Sequence, residues 1–247
     1  MTDERVRRAE RALGAGAAEA EERLLRERLR AGQLDPLRLR LAAFLGHGAA
    51  RALDPAAPRP PELARAWAQA AARGTSGPLP FPVVQRLAAT AHVRAWCETL
   101  AELGLEALIR AGALGLKEAA AACPGPLPAE VTRPLDAVRA WLERPDASRA
   151  AACLEVAEEL ALENLQLDPA DPHSGLRQGS VLLAYAVEAL VPASAAQGVA
   201  TALLQAGRSA RQARGSTPPA GDEPALPAGL PEVLEAVRVR LLTWALG

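Results

Sequence analysis

The chain has 247 residues, of which 58 are alanine and 39 are leucine, and 27 of its 28 basic residues are arginine. Alanine and leucine favour helices, whereas the aromatic residues that strands need make up only 3% of the chain. This composition argues against a sheet-based enzyme fold. A formal net charge of −1 with 50% hydrophobic residues argues equally against a disordered chain.

Three elements are predicted in the first sixty residues. Apolar residues recur at spacings of three and four through residues 3–31, which predicts a charged amphipathic helix. Asp35 and Pro36 are typical of a helix N-cap and a first helical residue, so a second helix is predicted over 36–45. Residues 48–53 are predicted to form a short turn.

Helices separated by proline and glycine are predicted through the middle of the chain. Gly104 and Gly112 are expected to interrupt the long helical region, and Asp146 or Ser148 is expected to cap the helix that follows Pro145. The predicted helical ranges are 61–73, 82–111, 115–122, 128–143 and 147–166.

Two further helices, 176–191 and 193–213, are predicted on either side of Pro192. Residues 215–229 contain four prolines and three glycines and therefore predict a linker. An amphipathic helix is predicted over 231–246, where apolar residues again recur at helical spacing.

The predicted fold is all-α, either an irregular multi-helix bundle or a short α-helical repeat stack of about nine helices, with no clean repeat at 34 or 40 residues. Residues 1–214 are predicted to form one helical domain, in which the charged helix 1–31 is peripheral. The linker 215–229 then makes residues 230–247 a separable helix.

No catalytic, cofactor or metal site is predicted. The three histidines never pair at a spacing of four, and Cys-x-x-Cys, Gly-x-Ser-x-Gly and phosphate-binding glycine motifs do not occur. The three cysteines predict reduced, buried thiols. An enzyme would require a pocket that gathers Asp171, His173 or Cys97, and the polar loop 168–179 is where such groups concentrate.

An acidic stripe is predicted on the helix after Pro145. Glu155, Glu159 and Glu163 are four residues apart, so they share one helix face, with Glu158 beside them. The sequence leaves open whether this stripe is a solvated helix face or a partner-binding surface. Because like charges at this spacing repel, compensation is expected from an arginine surface or from an external partner. The arginine surface suggested by the sequence consists of Arg208, Arg211 and Arg214.

The apolar face of the last helix is a second candidate for partner binding. It carries Val233, Val237, Leu241 and Trp244 at helical spacing. A helix of this kind docks into a groove of its own domain or of another protein, and docking on its own domain is the more common outcome.

Two segments carry a resemblance. Residues 34–53, LDPLRLRLAAFLGHGAARAL, resemble a segment that recurs in uncharacterised alanine- and arginine-rich helical proteins of GC-rich bacteria, including myxobacteria. Residues 133–142, RPLDAVRAWL, followed by the alanine-rich helix from Ser148, are similar to proteins labelled as immunity proteins. That resemblance implies a role in binding and neutralising a toxin, and it brings no catalytic residues.

The sequence therefore predicts a non-enzymatic scaffold or adaptor that acts through helical surfaces and amphipathic terminal helices. The predicted partner is another protein, with homo-oligomerisation left open. Nucleic acid is not expected, because local acids cancel the arginine charges, and neither is a membrane. The absence of a signal peptide favours the cytoplasm. The alternatives are an immunity or antitoxin-like protein and a hydrolase-type enzyme with an unrecognised site.

Overall fold

A computed structural model describes residues 18–61, 81–163, 171, 173–189, 191–214 and 229–247, without the side chains of 81–89, 162 and 163. These residues form ten helices and no strand, which confirms the predicted all-α fold. The helices are α1 (Ala18–Arg30), α2 (Pro36–Phe44), α3 (Gly48–Leu53), α4 (Phe81–Leu103), α5 (Leu105–Ala122), α6 (Ala129–Glu143), α7 (Ala147–Glu163), α8 (Ser174–Glu188), α9 (Pro192–Ala213) and α10 (Leu230–Leu246).

Two helix starts follow the predicted capping chemistry. The Asp35 carboxylate accepts a hydrogen bond from the main-chain N of Leu37 at 2.6 Å, and Pro36 is the first residue of α2. Asp146 caps α7, because its Oδ1 accepts from the main-chain N of Arg149 at 2.9 Å. The N-cap of α7 is therefore Asp146 and not Ser148.

Two predicted boundaries were wrong. Residues 48–53 form the short helix α3 and not a turn, with the side chain of His47 as its N-cap. Gly112 does not interrupt a helix, so the separate piece 115–122 is the second half of α5. Gly104 does end α4, because its φ of 135° is a conformation that only glycine adopts readily. Residues 62–73 of the predicted helix 61–73, residues 215–228 of the predicted linker 215–229, and residues 3–17 lie outside the described residues.

The described residues group into two units. The first contains the described residues up to Pro60 together with Arg238–Gly247, and the second runs from Pro61 to Val237. The last helix thus contributes its first eight residues to one unit and the remainder to the other. The domain scheme predicted from the sequence stays a prediction.

Arginine side chains hold the first unit together by donating to main-chain carbonyls. Arg28 donates to the carbonyl of Leu246 at 2.6 Å, and Arg238 donates to the carbonyl of Leu45 at 2.9 Å. Both acceptors lie at helix C-termini, where carbonyls lack partners within the helix. The Arg38 guanidinium lies 4.4 Å from the centre of the Trp244 ring, a cation–π contact.

Small residues set the spacing of the helices in the second unit, where α5, α8 and α9 pack against one another. A Cβ at Gly175 of α8 would lie 2.8 Å from the carbonyl oxygen of Gln205 in α9. A Cβ at Gly198 of α9 would lie 3.3 Å from the carbonyl oxygen of Leu182 in α8. Glycines at these contacts therefore allow the backbones of the two helices to approach each other closely.

The proline inside α6 has a partner on α8. Pro134 has no N–H, so the carbonyl of Glu130 one turn earlier loses its usual donor. The hydroxyl of Ser180, a fully buried residue of α8, lies 3.5 Å from that carbonyl oxygen and donates to the carbonyl of Arg177 at 3.0 Å. Ser180 thus supplies a polar contact for a carbonyl that the proline leaves unpaired.

Candidate interaction surface

The acidic stripe lies on the outward face of α7. Glu155, Glu158 and Glu159 are all exposed, while Cys153, Ala157 and Leu160 of the same helix are buried. The helical period thus places the predicted carboxylates on the side away from the core. Glu163 is the last residue of α7, and its side chain lies outside the described part.

One carboxylate of the stripe is paired within the chain. Glu159 accepts two hydrogen bonds from the Arg133 guanidinium of α6, at 3.2 and 2.5 Å. The hydrogen bond from Arg133, and then its charge, lower the pKa of the Glu159 carboxyl. The predicted compensation by Arg208, Arg211 and Arg214 is therefore wrong for Glu159, because the neighbouring helix α6 provides the cation.

Glu155 and Glu158 are different, because neither has an ion-pair partner among the described residues. Their carboxylates add a local negative charge to a protein whose total charge is only −1. Exposed carboxylates of this kind interact weakly with their own chain and attract cations across a Debye length of about 8–10 Å. Among the described residues of the stripe, this pair is the part without an ion pair inside the chain.

The predicted binding face of the last helix is covered by the chain itself. Val233, Val237 and Leu241 are buried, and Trp244 is partly buried beneath Arg38. Val233 and Val237 lie within 3.5 Å of the place where a Cβ of Gly115 would be. In this structure the face is docked on its own chain and is not open to a partner.

The polar loop before α8 brings together the predicted Asp171 and His173, with Arg177 beside them. Asp171 Oδ1 accepts a hydrogen bond from the main-chain N of His173 at 2.9 Å, and its Oδ2 lies 2.7 Å from the Arg177 guanidinium. The Nδ1 of His173 is 3.3 Å from Asp171 Oδ1. Asp168, the remaining acid of this loop, lies outside the described residues.

This arrangement stabilises the start of α8 and does not present a reactive group. The pKa of the Asp171 carboxyl is lowered, chiefly by the hydrogen bond from His173 N and also by the charge of Arg177. The His173 Nε2, which would have to reach a substrate in an Asp–His pair, is buried without a hydrogen-bond partner among the described residues.

Replacing Asp171 by asparagine should destabilise the protein by about 1–2 kcal/mol at pH 7, because a charged hydrogen-bond acceptor with an arginine partner is lost. The folded-state pKa lies below the ordinary value, so this stabilisation is complete above about pH 5 and is lost as the pH falls through the folded-state value. Urea unfolding at pH 7 and pH 3 measures both effects. An equal difference between the two proteins at both pH values would contradict this role.

The cysteines are buried thiols, as their apolar settings predicted. Burial raises the pKa of Cys97 far above its usual value, and the charge of Glu98 adds to that effect. Burial and the charge of Glu188 raise the pKa of Cys153 to about 11. Burial, followed by the charge of Asp171, also raises the pKa of Cys123. Thiols of this kind are poor nucleophiles near neutral pH.

The described residues contain no group of three or more His, Cys, Asp or Glu side chains that could hold a metal ion. None of the described helices has both the length and the hydropathy needed to cross a membrane.

Comparisons with known proteins found no match to this chain. No protein-family model matches the chain, and neither the comparison with curated proteins nor that with solved structures gives a match.

Proposed function

We propose that this chain is a non-enzymatic protein-binding module whose outward α7 face contacts a basic partner protein. The observation that carries the proposal is the pair Glu155 and Glu158, exposed and without an ion-pair partner among the described residues. Such charges contribute mainly to the rate and specificity of association, because complementary potentials guide the encounter.

The cis-docked last helix supports the choice of α7 over the alternative surface. An interface built on Val233, Val237 and Leu241 would require these buried side chains to leave their own chain. The α7 carboxylates require no rearrangement, and surfaces that are already formed bind without that cost.

Glu159 has a secondary role in this proposal. A basic partner that approached Glu159 would compete with Arg133, which already binds both carboxylate oxygens. We therefore place the first contact at Glu155 and Glu158, with Arg133 fixing the neighbouring edge of the surface. The partner is either a toxin or a component of an assembly. Identifying the protein that co-purifies with this chain distinguishes the two.

The proposal is tested by reversing charge on α7. The double variant Glu155→Arg and Glu158→Arg should weaken binding of the co-purified partner about tenfold or more, as expected when charge complementarity becomes like-charge repulsion. The matched control reverses Glu102 and Glu232, which are also exposed in the same unit, with the same change in net charge. The readout is the dissociation constant of the purified complex, measured at low and moderate salt.

Three results would contradict the proposal. The two double variants could bind equally well, or the affinity of the wild-type protein could be independent of salt. The wild-type protein could also purify from the cells that encode it as a monomer without a stable partner under several conditions. Recovery of a toxin as the α7-dependent partner would support the antitoxin interpretation over the adaptor one.

A further inference from the structure

His47 uses both nitrogens of its ring, and each contacts a different helix. Its Nδ1 accepts a hydrogen bond from the main-chain N of Ala50 at 3.2 Å, which caps the start of α3. Its Nε2 lies 3.1 Å from the Glu21 Oε1 of α1. The ring is largely buried, with 13% of its side chain exposed.

These two contacts determine where the proton is. A ring nitrogen that accepts from an amide N–H carries no proton, so the neutral ring has its hydrogen on Nε2 and donates it to Glu21. Adding a proton would turn Nδ1 into a second donor. It would then face the N–H of Ala50, and this hydrogen bond would be lost, while the contact with Glu21 would become an ion pair.

We propose that His47 is a proton-sensitive latch between α1 and α3. In the neutral state it joins α1 to the capped start of α3, and in the protonated state it keeps Glu21 and releases the cap. Histidine is the side chain whose ordinary titration lies near physiological pH.

The elements next to His47 carry further charged groups. Glu21 of α1 is the acid in contact with the ring. Two cations lie on adjoining elements: the Arg238 guanidinium of α10 is 3.8 Å from where a Cβ of Gly46 would be, and Arg51 of α3 donates to the carbonyl of Ala43. On the α2 side, Arg40 is paired with Asp54 at 2.8 Å, so its charge is locally balanced.

The latch is tested by hydrogen exchange of the Ala50 amide in the whole chain at pH 8 and pH 5. In the wild-type protein the protection factor, corrected for intrinsic exchange, should fall about tenfold at pH 5, the size of a typical N-cap contribution. The matched control is His47→Asn, because asparagine caps helices well and does not titrate. Its Ala50 protection should be the same at both pH values.

Nitrogen chemical shifts of the His47 ring provide an independent readout at pH 8. They should show an unprotonated Nδ1 and a protonated Nε2. A proton on Nδ1 at pH 8, or an Ala50 protection factor that does not change between pH 8 and pH 5 in the wild-type protein, would overturn the proposal. An equal fall in His47→Asn would also overturn it, by assigning the change to another group.

Discussion

Replacing Leu241 by alanine should lower the free energy of unfolding by about 2–5 kcal/mol, the usual cost of emptying a fully buried leucine site. Leu241 is 0% exposed on the last helix. Its helical neighbours Arg238 and Trp244 contact Leu45 and Arg38 of the first unit. Loss of the leucine side chain should therefore loosen residues far away in the sequence and not the last helix alone.

Val239 provides the control on the same helix. Its side chain is 49% exposed, so Val239→Ala should change stability by no more than about 0.5 kcal/mol. Urea unfolding gives the difference, and amide exchange should show faster opening of α1, α2 and α3 in Leu241→Ala only. Equal stability of the two variants would contradict a packing role for the buried Leu241 side chain.

Most helices could be predicted because their signals are local. Asp35 and Pro36 mark a helix start through contacts within three residues, and Gly104 ends a helix through its own φ. Gly112 was predicted wrongly because its reason is not local. A Cβ there would lie 2.5 Å from Leu183 Cδ1 on α8, so the glycine serves packing between helices and α5 continues through it.

Part of the candidate surface could also be predicted, because helical spacing is a local signal. Helical periodicity alone places Glu155 and Glu159 on one face, and the structure finds both exposed. The partner of Glu159 could not be found this way, because Arg133 is 26 residues earlier and meets it only when α6 packs on α7. The predicted arginines of α9 were chosen by charge, which carries no information about distance.

The contacts of arginine are a second case in which local sequence does not reveal the partner. The sequence indicated arginine charges that are cancelled by acids nearby in the chain, and pairs such as Arg94 with Glu98 fit that description. Arg51 has a different role: it donates to the carbonyls of Ala43, Ala57 and Pro58, and no acid is among these acceptors. A carbonyl acceptor can belong to any residue type, so contacts of this kind leave no pattern in a sequence.

The second large effect is expected at Gly175, where alanine should cost about 1–3 kcal/mol. The added Cβ would lie 2.6 Å from Ser209 Oγ and 2.8 Å from the main-chain oxygen of Gln205. A side-chain tip can rotate away, but a helix carbonyl cannot move without moving α9. The helices α8 and α9 must therefore separate, and all their other contacts weaken with them.

A graded series of glycine variants separates this packing effect from the general change in unfolded-chain entropy, which favours alanine by about 0.4–1 kcal/mol. Gly48→Ala meets no atom within 4 Å and should be neutral or stabilising, whereas Gly198→Ala meets Leu182 O at 3.3 Å and should be intermediate. Chemical denaturation of the three variants gives the order of their free energies of unfolding. Equal stability of Gly175→Ala and Gly48→Ala would mean that backbone approach does not limit the packing of α8 on α9.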